Sequence, residues 1–237
     1  MIFYRSVTTP TAITFDLDDT LYDNHPTIFR AEALLKEKMA DRFPKAASIP
    51  RAELSAIKRR FIQDSPELAS DMSKLRLLTL NYILADEAKD NVEEAATEMY
   101  EFFYNERSKV PISNEVLTTL KNLSKKVPLV GITNGNLDTE QAGLNPHFKT
   151  ILHASSSRPA KPHRCMFDEA AQYLSIAPKK ILHVGDSLIN DVFGAYQAGF
   201  QSAWFACNRP MLLSKEKTLV LPDVELSKLD DLFSLLR

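Results

Sequence analysis

The chain has 237 residues, 44% hydrophobic and 25% charged, with 29 basic residues against 31 acidic and a formal net charge of −2. That is an ordinary globular composition with room for one large domain, or for a core plus a smaller module. It lacks the basic excess that binding to nucleic acid or an anionic membrane surface calls for, so the expected partner is a small molecule.

The chain opens on "MIFYRSVTTPTAITF", which has no continuous apolar core and no small-residue cleavage site, so it does not read as a signal peptide. No run is long and apolar enough to span a bilayer. Two cysteines, Cys165 and Cys207, are too few for a disulfide scaffold and lack zinc-ligand spacing. They read as reduced thiols, and the expected location is cytoplasmic.

The first predicted strand is Ala12–Leu17, "AITFDL". From about Pro26 to about Arg107 only helical signals occur, in "FRAEALLKEKMADRF", "PELASDMSKLRLLTLNYIL" and "NVEEAATEMYEFFYNER". In the first of these an apolar stripe is expected through Ala33, Leu34 and Met39. Strands follow at Val127–Thr133 and Lys180–Asp186, with weaker candidates at Thr150–Ala154 and Gln201–Phe205. Helical patterns lie at Ser113–Leu123, His163–Leu174 and Leu188–Ala198. Strands alternating with helices, apolar on both faces, predict an α/β core with a parallel sheet. The helical segment predicts an all-helical module inserted after the first strand. The end, "SKLDDLFSLLR", reads as a short helix with Ser227 and Asp230 as a capping box.

In an open α/β sheet, ligands bind outside the carboxyl ends of the strands. The strong strands end in "DLDDT" (Asp16 to Thr20), "TNGN" (Thr133 to Asn136) and "GDS" (Gly185 to Ser187), with Asp191 following, and "AKP" supplies Lys161. One face of the sheet would gather several carboxylates, a hydroxyl, a lysine and turn amides. Phosphoryl transfer through a carboxylate requires such a set. A divalent cation offsets repulsion between acids and phosphate, and hard oxygen ligands suit Mg2+. One carboxylate attacks phosphorus; a second, two residues on, protonates the leaving oxygen and later activates water. Thr133 and Lys161 hold the equatorial oxygens.

Taken singly, each element has a plainer reading. Asp186 is a plausible helix N-cap, Lys161 a solvated lysine, Asn134–Gly135 a tight turn, and the aromatics of "MYEFFYNER" bundle core. Asp19 and Asp23 read as turn and capping residues, and Thr20 as a brace of the loop. The five histidines share no metal spacing. His183 reads as strand interior and the others as loop or surface, His25 alone being placed where it could face a substrate.

Taken together and in order, "FDLDDTLYD", "ITNGN", "AKP" and "VGDSLINDV" resemble the four motifs of the haloacid dehalogenase superfamily. The resemblance implies a Rossmann-like three-layer core formed by residues 1–23 and 108–237, with residues 24–107 as a helical cap of the C1 type. It implies Asp16 as nucleophile and Mg2+ ligand, and Asp18 as general acid/base and Mg2+ ligand through its carbonyl. Thr133, the Asn134 amide and Lys161 would bind the phosphoryl group. Asp186 would be the third protein ligand of Mg2+, with Asp191 supporting the metal's waters or Lys161. An acid at position 18 points to phosphatases or mutases over dehalogenases. His163 stands where an Asp is often found, which bears only on loop detail. The chain is further similar to bacterial members that act on FMN and on 5-amino-6-(5-phospho-D-ribitylamino)uracil. That likeness implies a Mg2+-dependent phosphatase of small phosphomonoesters. Sugar phosphates or nucleoside monophosphates, a phosphomutase, and a phosphate-binding regulator without turnover are the alternatives.

Overall fold

The computed structural model describes residues 1–236; Arg237, the last residue of the predicted C-terminal helix, lies outside them. Among the described residues, seven strands form one sheet: β1 (Ile2–Phe3), β2 (Ala12–Phe15), β3 (Leu129–Thr133), β4 (Thr150–His153), β5 (Ile181–Gly185), β6 (Gln201–Trp204) and β7 (Val224–Glu225). Their order is β1-β7-β6-β5-β2-β3-β4, parallel except where β1 runs antiparallel to β7. β1 and β7 have two residues each, too few to carry a periodic signal.

The first strand is shorter than predicted and stops at Phe15. Beyond it the Leu17 carbonyl accepts from the Thr20 and Leu21 amides, and Asp19 adopts a left-handed φ of 60°. The chain therefore turns out of the sheet just where the carboxylates begin.

Helices cover both faces of the sheet. On one face Ile13, Phe15, Leu182 and Val184 pack against Leu120 and Leu123 of α6 (Asn114–Ser124) and Leu232 of α9 (Leu232–Leu235). On the other, Ala12, Val130, Ile132 and Ile181 pack against Met166 and Phe167 of α7 (Cys165–Leu174) and Ala195 of α8 (Gly194–Ala198). Alternate residues of β2 thus serve opposite faces, as the pleat requires, and the strand is fully buried.

Five helices lie between β2 and α6: α1 (Asn24–Ala40), α2 (Pro44–Ser48), α3 (Arg51–Asp64), α4 (Met72–Ala88) and α5 (Val92–Ser108). They enclose an apolar cluster of their own, including Leu35, Met39, Leu80, Leu84, Met99 and Phe103. The stripe on α1 differs from the expected one. Thr27, Ala31, Leu35 and Met39 are buried at steps of four, whereas Ala33 is exposed and Leu34 half-buried. The true stripe begins with a threonine, which a search for apolar residues passes over.

Three local readings also change. The segment Leu188–Phe193 is a π-helical turn that leads into α8. The helix expected from His163 begins at Cys165, whose amide donates to His163 Nδ1 at 3.1 Å. At the C-terminus the capping carboxylate is Asp231, accepting from the Ser227 and Lys228 amides, while Asp230 instead accepts from Thr119 Oγ1 at 2.6 Å. The two acids are adjacent in sequence, and the contact with α6 decides which one caps.

From β2 the chain moves through β3 to β4 on one side, then returns to place β5 on the other side of β2. The carboxyl end of β2 is therefore the switch point of the sheet, where a crevice opens.

Candidate active site

Asp16 is the first residue past β2, and its amide still donates to Val184 O at 2.8 Å. The residue is 7% exposed. Thr20 Oγ1 donates to Asp16 Oδ2 at 3.3 Å, the bracing role expected of it. Asp18 lies on the outer side of the loop, where Tyr22 Oη donates to its Oδ1 at 2.5 Å and Arg107 Nη2 at 3.3 Å. Asp19 accepts from the Asn24 amide and Asp23 caps α1 through the His25 amide, so both shape the entry to the helical module. His25 packs its ring on Phe29 at 4.4 Å.

Lys161 joins the site together. Its Nζ donates to Asp16 Oδ1 at 2.6 Å, Asp191 Oδ1 at 2.6 Å and Ile132 O at 2.7 Å. All three of the ammonium's hydrogens are thereby used. Burial alone would lower the lysine's pKa, but Asp16 and Asp191 outweigh it and hold the group above its usual range. Asp191 is buried too. Burial would raise it, yet Lys161 and His183 hold its carboxyl well below the ordinary value. Asn134 fixes the same loop, its Oδ1 accepting from the Lys161 amide at 2.7 Å and its Nδ2 donating to Lys161 O. Thr133 is buried, and its Oγ1 accepts from the Gly135 amide at 2.9 Å.

The acids are not balanced by Lys161 alone. Burial, then Asp191, Asp186 and Asp18, push the Asp16 carboxyl well above its usual value, with Lys161 opposing. Asp186 is pushed up to about 6, by burial first and Asp191 next, with Arg209 opposing. One carboxylate oxygen from each of Asp16, Asp186 and Asp191 lies within 4.8 Å of the others. Asp191 is committed: Oδ1 accepts from Lys161 and His183, and Oδ2 from the Ser187 amide. Asp186 Oδ2 accepts from Arg209 Nη1 at 2.8 Å, and its other oxygen is free among the described residues. Hard oxygen donors with excess negative charge around a cavity of about 300 Å³ fit a small divalent cation.

A second cavity of about 320 Å³ meets the first at Asp18 and Asn134. Its walls come from the helical module: Ile28 of α1, Lys58 of α3, Met72, Leu75 and Arg76 of α4, and Phe103 and Arg107 of α5. Gly135 borders both the cavity and Asp18, and a Cβ there would run into the Asp18 carboxylate.

The site also uses residues that sequence reasoning passed over. Arg107, distant in sequence from Asp18, is buried against it. Thr14 Oγ1 meets His183 Nδ1 at 2.8 Å, and His183 Nε2 meets Asp191 Oδ1 at 3.1 Å. The histidine expected in a strand interior is there and aims Asp191 at Lys161. His153, expected on a loop or surface, ends β4, with Nδ1 3.1 Å from Gly135 O. Arg209 comes from a segment with no readable pattern; only Tyr22, one helical turn from Asp18, was within reach of a spacing argument.

The chain matches the model of the haloacid dehalogenase-like hydrolases over residues 10–199. It is 35% identical to the 5-amino-6-(5-phospho-D-ribitylamino)uracil phosphatase YigB of Escherichia coli, the alignment covering all of both chains. It is 30% identical to the phosphoglycolate phosphatase of Neisseria gonorrhoeae, over 94% of this chain and 91% of that one. Among solved structures it resembles a 2-haloacid dehalogenase from Pseudomonas syringae pv. tomato DC3000, with a TM-score of 0.87 and 33% identity over 98% of each chain. Among the described residues no helix is long and apolar enough to cross a membrane.

Proposed function

The chain belongs to the haloacid dehalogenase-like hydrolase family and is a phosphatase; from that premise we propose that it hydrolyses small phosphomonoesters with Mg2+ through an aspartyl-phosphate on Asp16. The observation that carries this reading is the buried Asp16–Lys161–Asp191 arrangement at the switch point of the sheet. It holds one carboxylate, Asp16, in the lining of a polar cavity, with only one of its oxygens on the lysine.

Asp16 attacks phosphorus, and the bond to the leaving alkoxide breaks in line with that attack. Asp18, on the side of the second cavity, gives its proton to the departing oxygen. It then takes a proton from water, which displaces phosphate from Asp16. Thr133 and the Asn134 amide hold the transferring phosphoryl oxygens, and Lys161, fixed beside Asp16, contributes its positive charge. Asp16, Asp186 and the Asp18 carbonyl would hold Mg2+, with Asp191 behind them. Bound there, the ion would neutralise charge shared by the acids and the phosphoryl oxygens. The helical module closes over the site and chooses the leaving group.

The full-length likeness to the E. coli enzyme supports FMN and the ribitylaminouracil phosphate as substrates. A panel of these two, nucleoside monophosphates, sugar phosphates and phosphoglycolate, assayed with Mg2+, tests this. The two should be turned over best, and equal rates across the panel would remove the assignment. The likeness to a 2-haloacid dehalogenase adds one arm to the assay. Release of halide from a 2-haloacid without any phosphate release would overturn the reading, and Asp18 argues against that outcome.

The metal has a signature of its own in stability. The Asp186 carboxyl, ordinarily near 3.8, sits at about 6. Between those values the unfolded chain has released a proton that the fold retains, so the metal-free fold loses stability as pH rises through that window. Mg2+ binds the ionised carboxylates and competes with that proton. Thermal melts should therefore show a larger Mg2+ stabilisation at pH 7 than at pH 5. Equal stabilisation at both would mean that these carboxylates do not hold the ion.

A further inference from the structure

The cavity on the leaving-group side of Asp18 has a charge pattern that the phosphoryl chemistry does not use. Three cations, Lys58, Arg76 and Arg107, line it, against one acid, Asp18. Arg107 is paired with Asp18 at 3.3 Å, and Arg76 with Glu32 at 3.4 Å. The Arg76 guanidinium also lies over the Phe103 ring, 3.4 Å from its centroid. Lys58 is left. It is half-buried and makes neither a hydrogen bond nor an ion pair among the described residues. It also borders an adjoining cavity of about 190 Å³ between α1, α3 and α4, which Arg76 and Glu32 share. A half-buried cation whose donors are not taken up by the protein is available to an acceptor on a bound ligand. Burial, then the neighbouring Arg76, pull the lysine's pKa down from its usual value, with the Glu32 carboxylate across the adjoining cavity opposing them.

Apolar walls beside these cations, from Ile28 and Leu75, define what would fit. Such a pocket suits a flat ring on one side and hydrogen-bond acceptors on the edge that faces the cations. We propose that Lys58, flanked by Arg76, is the residue by which this phosphatase selects its leaving group, engaging the carbonyl or ring-nitrogen edge of a heteroaromatic ring. A pyrimidinedione edge has this chemistry and is common to FMN and the ribitylaminouracil phosphate. The proposal therefore rests on the substrate reading above and names the residue that enforces it. α3, which carries Lys58, has none of its 14 residues fully buried.

The test compares Lys58→Met with wild type on FMN, on the ribitylaminouracil phosphate and on phenyl phosphate, whose leaving group carries no acceptor edge. The quantity read is the ratio of kcat/KM for the acceptor-bearing ester to that for phenyl phosphate, so a general loss from altered folding cancels. The ratio should fall about tenfold, chiefly through KM, the size expected of one lost charge-assisted hydrogen bond. Lys58→Arg, which keeps the charge and the donors, should restore most of it. A Lys58→Met ratio within threefold of wild type would overturn the proposal. If the wild-type protein turns over neither ester, the substrate reading fails by itself. The Lys58 proposal is then judged by the same ratio on the best acceptor-bearing ester in the panel.

Discussion

Asp16→Asn should lower phosphatase turnover by at least ~10,000-fold, the scale seen when a covalent nucleophile is removed, without lowering the melting temperature. The two halves of this expectation have different origins. The activity loss follows because an amide oxygen cannot form the acyl phosphate on which both chemical steps depend. The unchanged stability follows from electrostatics. Asp16 is buried among Asp186, Asp191 and Asp18, which push its carboxyl well above the usual range. A neutral group of the same shape relieves that repulsion. Lys161 keeps its contacts to Asp191 Oδ1 and Ile132 O, at 2.6 and 2.7 Å, so no buried cation is stranded. Kinetic assay with p-nitrophenyl phosphate and a thermal melt on the same preparation check both halves. Turnover that survives undiminished would dispose of the proposed mechanism.

Lys161→Met should damage both properties. The substitution leaves Asp16 and Asp191 facing one another in the protein interior with no cation between them. Breaking a buried pair by removing one partner costs about 3–5 kcal/mol, because the remaining charge is uncompensated. Loss of a preorganised cation beside the transferring phosphoryl group should separately lower kcat by roughly 100- to 1,000-fold. The stability loss carries a pH signature. Asp191 is held well below its ordinary pKa, with Lys161 the largest favourable influence. A depressed carboxyl contributes stability that is present above its unfolded pKa and lost as pH falls through its folded value. The wild-type advantage over Lys161→Met should therefore be full at pH 7 and shrink as pH falls below the ordinary carboxyl value near 3.8, where the unfolded chain takes up the proton that Asp191 in the fold does not. Melts across that range measure it. A variant as stable as wild type at pH 7 would show that the lysine is not the counter-charge described here.

The sequence announced the chemistry more clearly than it announced the geometry. Asp16, Lys161 and Asp186 each lie at a strand end or in a loop beyond one, Asp191 lies in the helical turn that follows β5, and the parallel sheet brings those positions to one edge. The central strands were legible because burial on both faces makes them continuous apolar runs. β1 and β7 were not, since two residues carry no period. On α1 the buried stripe starts at Thr27, and a polar residue in a core position hides the true register. The partners that tune the acids lay furthest out of reach. Arg107 reaches Asp18 from the end of α5, and Arg209 reaches Asp186 from a segment after β6. Only the folded chain supplies those pairings, because each joins residues that local pattern treats independently. His183 is intermediate: its strand was readable, but its bridge from Thr14 to Asp191 depends on the register of β2 with β5.

The covalent role of Asp16 is the claim on which the rest depends, and the stereochemistry at phosphorus tests it whether or not an intermediate accumulates. A phosphorothioate monoester made chiral with oxygen isotopes would be hydrolysed by the wild-type protein in isotopically labelled water, and the configuration of the product determined. Two successive in-line displacements, first by Asp16 and then by water, predict net retention. Net inversion would mean that water attacks the ester directly, and would contradict the assignment of Asp16 as nucleophile.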